Sequence, residues 1–295
     1  MPSSPTPPFR RLSVPIRNRW GDGEMALLDF GDPERAPDLV FVHANGFNAG
    51  TYRRLLAPLG GRFRVLAPDL RGHGRTRLPT RTEGRRNWHD HRDDLIGLLE
   101  ALGGPPPVLA GHSMGGTTGL MTAAERPDLV RRLVLLDPVI WARPMALMFR
   151  LPLLDRVAGA NPLIRNTLRR RARFASREEA LKAYRGRGAF KGWSDAVLAD
   201  YLADGLVETD DGLALACAPS WEASNYAAQA QDVWGALKRA SQAIHVLKAG
   251  QGSICHLETD RRRPNLSVET VEGGGHMIPL THTAETREAL EAVLG

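Results

Sequence analysis

The sequence has little cysteine and no long apolar run, and each shortage excludes a class of protein. The two cysteines, Cys217 and Cys255, are too few for a disulfide framework and lack a metal-binding spacing such as Cys-x-x-Cys. No apolar run approaches the ~18 residues that a membrane-spanning helix needs, and residues 1–11 are rich in Pro, Ser and Arg without an apolar signal core. We therefore expect a cytoplasmic protein without a membrane span.

The histidines do not point to a metal. There are nine of them, and they form no His-x-x-x-His pair of the kind that binds a metal from one helix face. Nothing in the sequence therefore requires a metal or another cofactor.

Positive charge is abundant. The formal net charge is +6, and nearly all the cationic side chains are arginines. A cluster of them lies between Leu163 and Phe174: Arg165, Arg169, Arg170, Arg171 and Arg173. No nucleic-acid motif accompanies this cluster, so we interpret it as a solvated helix face and expect no nucleic-acid partner.

The stretch from Pro105 to Gly116 carries the strongest functional signal. Apolar residues lead into the pentapeptide Gly-His-Ser-Met-Gly at 111–115, and a segment compatible with a helix follows. A Gly-x-Ser-x-Gly pattern between a strand and a helix predicts a sharp turn that holds the serine in a strained conformation with its hydroxyl exposed. The helix behind it would aim free N–H groups at an oxygen bound there. Ser113 is therefore the candidate nucleophile.

Strand and helix patterns alternate at both ends of the chain. Residues 12–16 and 25–30 predict an antiparallel hairpin, and a continuous apolar run typical of a buried parallel strand follows at 39–42. Further strand patterns follow at 63–67, 108–111, 133–136, 243–248 and 266–271. Helical patterns follow several of these strands, at 51–59, 87–102, 117–125 and 284–294. This alternation predicts an α/β fold with a doubly wound, mainly parallel sheet.

The alternation stops in the middle of the chain. Segments at 163–172, 178–184 and 196–202 have helical patterns with glycines between them. We predict that residues 1–137 and 236–295 form the core and that residues 138–235 form an inserted helical cap, or lid.

These motifs identify a family resemblance. The chain resembles the α/β-hydrolase superfamily over essentially its whole length, and within it the capped, serine esterase-like members. The resemblance rests on the pentapeptide at 111–115, the loop that begins at His43, the run Pro-Asp-Leu-Arg-Gly-His-Gly at 68–74, and Gly-His-Met-Ile-Pro at 275–279. It implies an α/β-hydrolase fold with an inserted lid, and hydrolase chemistry.

A serine nucleophile needs a base and an acid that orients the base. His276 lies in a glycine-rich loop after the last predicted strand, where the family has its catalytic histidine. The family most often places the acid in the turn after the seventh strand, but residues 250–254 contain no Asp or Glu. Asp137, at the end of the strand at 133–136, is our candidate, and Glu258 and Asp260 are the alternatives.

The tetrahedral intermediate of acyl transfer also needs two N–H donors. The resemblance assigns one to the backbone of Met114 and the other to the loop after the strand at 39–42. Counting from His43 gives Asn45 as the second donor. Ala44 stands where the family has glycine, so Phe47 stays an alternative.

Apolar side chains of the insertion are expected to line an acyl pocket. They are Trp141, Met145, Met148, Phe149, Phe190, Trp193, Trp221 and Tyr226. Together with these residues, the resemblance implies a carboxylesterase-like serine hydrolase that cleaves a small-molecule ester through a Ser-His-Asp triad and an acyl-enzyme. The alternatives are a carbon–carbon bond hydrolase of a β-diketone-like substrate with the same triad and a non-catalytic ligand receptor on the same fold. The oligomeric state stays open, a homodimer included.

Overall fold

The computed structural model describes residues 9–151 and 161–295, so the chain's Pro-rich start and part of the predicted cap lie outside the described residues. The strands are β1 (Arg10–Ile16), β2 (Gly23–Phe30), β3 (Leu39–Val42), β4 (Val65–Pro68), β5 (Val108–His112), β6 (Arg132–Leu136), β7 (Arg173–Phe174), β8 (Leu206–Thr209), β9 (Gly212–Leu215), β10 (Ala243–Ala249) and β11 (Leu266–Val271). The α-helices are α1 (Arg53–Leu56), α2 (His89–Leu102), α3 (Met114–Glu125), α4 (Arg143–Phe149), α5 (Pro162–Leu168), α6 (Arg177–Tyr184), α7 (Asp195–Gly205), α8 (Pro219–Ala227), α9 (Val233–Arg239), α10 (Ile278–Thr281) and α11 (Thr283–Leu294).

Eight of the strands form one sheet in the order β1-β2-β4-β3-β5-β6-β10-β11. The predicted hairpin β1–β2 is antiparallel, β2 pairs antiparallel with β4, and all other neighbours in the sheet are parallel. The predicted α/β fold with a mainly parallel sheet is therefore confirmed. Because β3, β5, β6, β10 and β11 are parallel, the loops that follow them meet at one edge of the sheet.

The apolar runs of the central strands are buried on both faces. In β3, Leu39 and Phe41 belong to one hydrophobic cluster with Leu290 of α11, while Val40 and Val42 belong to a second cluster that includes residues of α2, α3 and α9. Successive side chains of a strand point to opposite faces, so a sheet covered by helices on both sides needs an unbroken apolar run rather than an alternating one.

One predicted helix is broken up. The segment predicted as a single helix over 51–59 forms a 3₁₀ turn (Ala49–Tyr52), the four-residue α1 and a second 3₁₀ turn (Ala57–Gly61). Pro58 lacks the N–H that a continuing helix would use, and two glycines follow it, so the last turn tightens instead of extending.

Between residues 138 and 235, helices α5, α6 and α7 overlap the three segments predicted as helical, whereas α4 and α8 were not predicted. The same part of the chain also contains a small sheet that the prediction missed. Strands β7, β9 and β8 pair antiparallel in that order, with a two-residue turn at Asp210 and Asp211. Gly212 then adopts φ +126°, a conformation that favours glycine. The Asp-Gly pair at 211–212 was the available hairpin signal.

The division into a core and a cap at residues 137/138 and 235/236 stays a prediction. Helix α9, which spans the second boundary, packs against α3 and adds Ala236 and Leu237 to the cluster on that face of the sheet. Among residues 9–151 and 161–295, no helix is both long enough and apolar enough to cross a membrane.

Candidate active site

Ser113 lies at the junction of β5 and α3 with φ 54° and ψ −119°, a strained combination for a residue other than glycine. Two glycines make this turn feasible. A Cβ added to Gly111 would lie 2.5 Å from the carbonyl carbon of Gly115, and one added to Gly115 would lie 2.3 Å from the carbonyl oxygen of Val42. The elbow predicted from the sequence is therefore present, and no larger residue fits at either glycine.

The structure brings Ser113, His276 and Asp137 together. The Nε2 atom of His276 lies 3.0 Å from the Oγ atom of Ser113, and its Nδ1 atom lies 2.5 Å from the Oδ2 atom of Asp137. The Asp137 side chain is fully buried, whereas the His276 side chain is a quarter exposed. The array therefore extends from a fully buried carboxylate at the end of β6 to an imidazole that is accessible from outside.

Asp137 is held at the end of β6 by the neighbouring strand β10. Its N–H donates to the carbonyl oxygen of Leu247 (2.8 Å), and its Oδ1 atom accepts from the N–H of Ala249 (3.0 Å) and from the hydroxyl of Ser253 (2.5 Å). Oδ2 is thereby left to face His276. Burial raises the pKa of Asp137, but the hydrogen bonds from His276, Ser253 and Ala249 outweigh burial, so the pKa lies below its ordinary value. Asp137 is therefore ionised at neutral pH.

The alternative acids lie elsewhere. Glu258 is 79% exposed and pairs with Lys248 (2.6 Å), and Asp260 accepts a hydrogen bond from the backbone of Arg262 on the surface. Neither makes a hydrogen bond to His276 in the described structure. The turn at 250–254 contributes a serine hydroxyl to Asp137 instead of an acid of its own.

The candidate oxyanion donors lie on the same side of the elbow. Met114, Asn45 and Phe47 all line a cavity that also contains Ser113 and His276. The N–H of Phe47, however, already donates to the carbonyl oxygen of Ala44 (3.2 Å) within the loop after β3. This bond favours Asn45 over Phe47 as the second donor.

The role of His112 was missed in the sequence. Its Nε2 atom lies 2.8 Å from the carbonyl oxygen of His276, so Nε2 carries the proton and donates to it. Nδ1 then accepts from the hydroxyl of Tyr52 (2.7 Å), whose oxygen accepts from the N–H of Ala44 (3.2 Å). The chain of bonds ties the loop of His276 to the loop after β3. Only the position of His112 beside Ser113 could have indicated this.

A cavity of about 800 Å³ opens above Ser113 and His276. Of the side chains predicted to line a pocket, the structure places these in its wall: Trp141, Met148, Phe149, Phe190 and Tyr226. Trp221 is instead buried and donates to the carbonyl oxygen of Arg71 (2.8 Å), and Trp193 packs on Phe47 with 5.2 Å between ring centres. Met145 does not line the cavity either.

Arg170 is an exception to the interpretation of the arginine cluster as a solvated face, because the other four arginines of the cluster are exposed and Arg170 is not. Its side chain turns into the cavity wall, where it donates to the carboxylate of Glu222 (2.7 Å) and to the hydroxyl of Tyr201 (2.7 Å). The buried carboxylate of Glu222 compensates the positive charge of Arg170. Because 52 residues separate the two, a local sequence pattern does not reveal this pair.

Within the described parts of the chain, no three His, Cys, Asp or Glu side chains are arranged to hold a metal ion. The thiols of Cys217 and Cys255 are both buried and free. Burial raises the pKa of both thiols, so neither is a ready thiolate at neutral pH.

The buried histidines make stability depend on pH. Burial lowers the pKa of His112 to about 3, whereas the same side chain in the unfolded chain titrates near 6.5. Between these values the unfolded state binds one more proton than the folded state. The stability that depends on neutral His112 is therefore present near pH 7 and is lost as the pH falls below about 6.5.

We expect the variant His112→Gln, which cannot titrate, to show a weaker loss of stability in acid than the wild type. The free energy of unfolding is measured in urea between pH 7 and pH 5 for both proteins. Once the pH is well below 6.5, the wild type should lose about 1.4 kcal/mol more per pH unit than the variant. Equal slopes in the two proteins would contradict the buried, neutral state of His112.

Comparisons with known proteins agree with this architecture. The alpha/beta hydrolase family model matches residues 39–289. The 2-(acetamidomethylene)succinate hydrolase of Mesorhizobium japonicum is 34% identical over 110 residues, which cover 37% of this chain and 38% of that protein. The sn-1-specific diacylglycerol lipase of Mus musculus is 39% identical over 144 residues, which cover 43% of this chain and 45% of that protein. Each alignment thus spans less than half of the relative.

Structural similarity to known proteins covers more of the chain than sequence similarity does. The crystal structure of E-2-(acetamidomethylene)succinate hydrolase matches with a TM-score of 0.75 at 23% identity, covering 96% of this chain and 98% of that chain. At this identity the match shows the fold alone. Together with the family match over residues 39–289, it leads to one conclusion: the chain belongs to the alpha/beta hydrolase family.

Proposed function

We propose that this protein is a serine hydrolase that cleaves small-molecule carboxylic esters through the triad Ser113, His276 and Asp137. The observation that carries the proposal is the hydrogen-bonded array of these side chains, with 3.0 Å from Ser113 to His276 and 2.5 Å from His276 to Asp137, at the wall of a largely apolar cavity. Of the two relatives described above, one is named as a hydrolase and the other as a lipase.

The geometry supports a two-step reaction. Nε2 of His276 accepts the hydroxyl proton of Ser113 while Oγ attacks the ester carbonyl carbon, and a tetrahedral intermediate forms. Its collapse breaks the bond to the alkoxy group, which takes the proton from His276 and leaves as the alcohol. Water then attacks the acyl-enzyme with His276 as the base, releases the carboxylic acid and restores Ser113.

Asp137 has an orienting role in this scheme. Its Oδ2 atom accepts the Nδ1 proton of His276, which leaves Nε2 free to accept the proton of Ser113. Because Asp137 is ionised, it also stabilises the imidazolium that forms in the transition state. The acid thus acts on the histidine and does not contact the substrate.

The negative oxygen of the intermediate is assigned to the N–H groups of Met114 and Asn45. Met114 begins α3, so its N–H has no partner within the helix and lies at the positive end of the helix dipole. Asn45 follows β3, which is paired with β5 directly beside the elbow. Each such donor typically contributes ~3 kcal/mol to lowering the barrier.

The cavity suggests an acyl or alcohol group with a substantial apolar part. The walls include Met148 and Phe149 of α4 and Phe190, all from the predicted cap. Burial of apolar area contributes about 25 cal/mol per Å², so a longer chain is expected to bind more tightly until the cavity is filled.

The first prediction from this proposal concerns the triad. On p-nitrophenyl esters from acetate to decanoate, Ser113→Ala should lower kcat by about 10⁶-fold and Asp137→Asn by about 10⁴-fold. The matched controls Glu258→Gln and Asp260→Asn should leave kcat unchanged, because both side chains lie on the surface. Circular dichroism and thermal melting establish that each variant is folded.

The outcomes separate the competing functions. Activity that survives Ser113→Ala would contradict the nucleophile, and loss of activity in Glu258→Gln or Asp260→Asn would contradict Asp137 as the acid. Folded wild type that cleaves no ester would overturn the ester proposal. Cleavage of a β-diketone would then indicate a carbon–carbon hydrolase, whereas binding without turnover would indicate a receptor.

A second prediction concerns Ser253. Its hydroxyl donates to Oδ1 of Asp137, and a hydrogen bond to a charged group contributes about 1.5 kcal/mol or more. We expect Ser253→Ala to lower kcat about tenfold with KM unchanged, and Ser253→Thr, which keeps the hydroxyl, to retain most of the activity. Steady-state kinetics on the best p-nitrophenyl ester measures both. Equal kcat in the wild type and Ser253→Ala would show that the backbone of Ala249 alone orients the acid.

A further inference from the structure

Helix α8 of the insertion holds both ends of the side-chain amide of Asn45. The Nδ2 atom of Asn45 donates to the backbone carbonyl of Glu222 (3.0 Å), and its Oδ1 atom accepts from Nδ2 of Asn225 (2.8 Å). Asn225 is fully buried, and 180 residues separate it from Asn45 in the chain. The loop that carries the second oxyanion donor is thus bonded to a helix that contributes no atom to the triad.

The side chain of Asn225 is in turn held by the buried guanidinium of Arg85. Its Oδ1 atom accepts from Nη1 of Arg85 (2.5 Å) and from Nε2 of His91 (3.1 Å). Arg85 forms a bidentate pair with Asp90 (2.7 and 2.8 Å), and both side chains are more than nine-tenths buried. Since the oxygen of Asn225 faces the guanidinium, its NH₂ group must face Asn45.

Further contacts at Gly46 also restrict the conformation of this loop. Gly46 has φ +76°, its N–H donates to Nε2 of His73 (3.1 Å), and a Cβ added to it would lie 2.6 Å from Oε1 of Glu222. The backbone on one side of Asn45 is therefore seated directly against α8. The N–H of Asn45 shares a peptide unit with the carbonyl oxygen of Ala44, which lies 2.7 Å from Nδ1 of His43 and accepts from the N–H of Phe47 (3.2 Å). The side chain of Asn45 joins the same loop to α8.

We propose that Asn225 is a positioning residue for the reaction: through the side chain of Asn45 it fixes the backbone N–H that receives the oxyanion. The inference rests on the proposed function, since it needs Asn45 to be the donor. An N–H aimed in advance at the developing charge stabilises the transition state without reorganisation, and a misplacement of about 1 Å is enough to lose much of that effect. Asn225 touches no reacting atom, so its contribution is to the transition state and not to substrate binding.

The test combines a variant pair with a transition-state analogue. We expect Asn225→Ala to lower kcat on the best p-nitrophenyl ester about tenfold to hundredfold, with KM unchanged. The Ki of an alkyl trifluoromethyl ketone, whose adduct with a serine carries the same negative oxygen, should rise by the same factor as kcat/KM falls. A purely structural defect would lower the amount of active enzyme without this proportional change in Ki.

A double-variant cycle identifies the route. Asn45→Ala keeps the backbone N–H but removes the anchor, so it should cause the same loss as Asn225→Ala, and the double variant should lose no more than Asn45→Ala alone. The control is Gln242→Ala, a buried amide that donates to the carbonyl oxygens of Ala123 and Pro127. It should lower stability but leave kcat and Ki unchanged.

Each outcome has a defined meaning. If the wild type is active and Asn225→Ala keeps its kcat and Ki, or if the losses of the two variants add, the positioning role is overturned while the ester hydrolase proposal stands. If the wild type cleaves no ester, the proposed function fails first and the role of Asn45 with it. Should Asn225→Ala not fold, Asn45→Ala decides alone: unchanged kcat and Ki overturn the inference.

Discussion

The left-handed backbone of Ser113 is the constraint on which the rest of the site depends. Such a conformation costs about 1–3 kcal/mol for a residue with a side chain, so it persists only where the surroundings enforce it. Here β5 is held between β3 and β6, the N–H of Ser113 donates to the carbonyl oxygen of Leu136 (3.0 Å), and α3 begins at once. The strain aims the hydroxyl out of the sheet edge, where a histidine from the far end of the chain can reach it.

The second constraint is the register between β6 and β10, which explains how the candidate acid at the end of β6 reaches the loop of His276. Leu136 pairs with Leu247, so Asp137 and the turn after β10 lie side by side at the same sheet edge. A carboxylate from either strand end is then close to the loop of His276. In this chain β6 supplies the carboxylate, and Ser253 in the turn after β10 supplies a hydroxyl that stabilises it.

Much of the fold could be predicted from the sequence because its signals are local. Buried parallel strands require continuous apolar runs, and the elbow requires glycines at 111 and 115, so both leave a mark within a few residues. The candidate acid could be located at a strand end because the usual turn contains none. The contacts of Ser253, Asn225 and Arg170 join segments far apart in the chain, and a single sequence has no pattern that reports them.

The most direct measurement of the central claim is covalent labelling with an alkyl fluorophosphonate, followed by intact mass and peptide mass spectrometry. Such a reagent reacts with a serine that a neighbouring base activates, and not with an ordinary hydroxyl. We expect the wild type to gain one phosphonyl group, located on Ser113. Unlabelled protein, or a label on another residue, would contradict the assignment of Ser113, His276 and Asp137 as a catalytic triad.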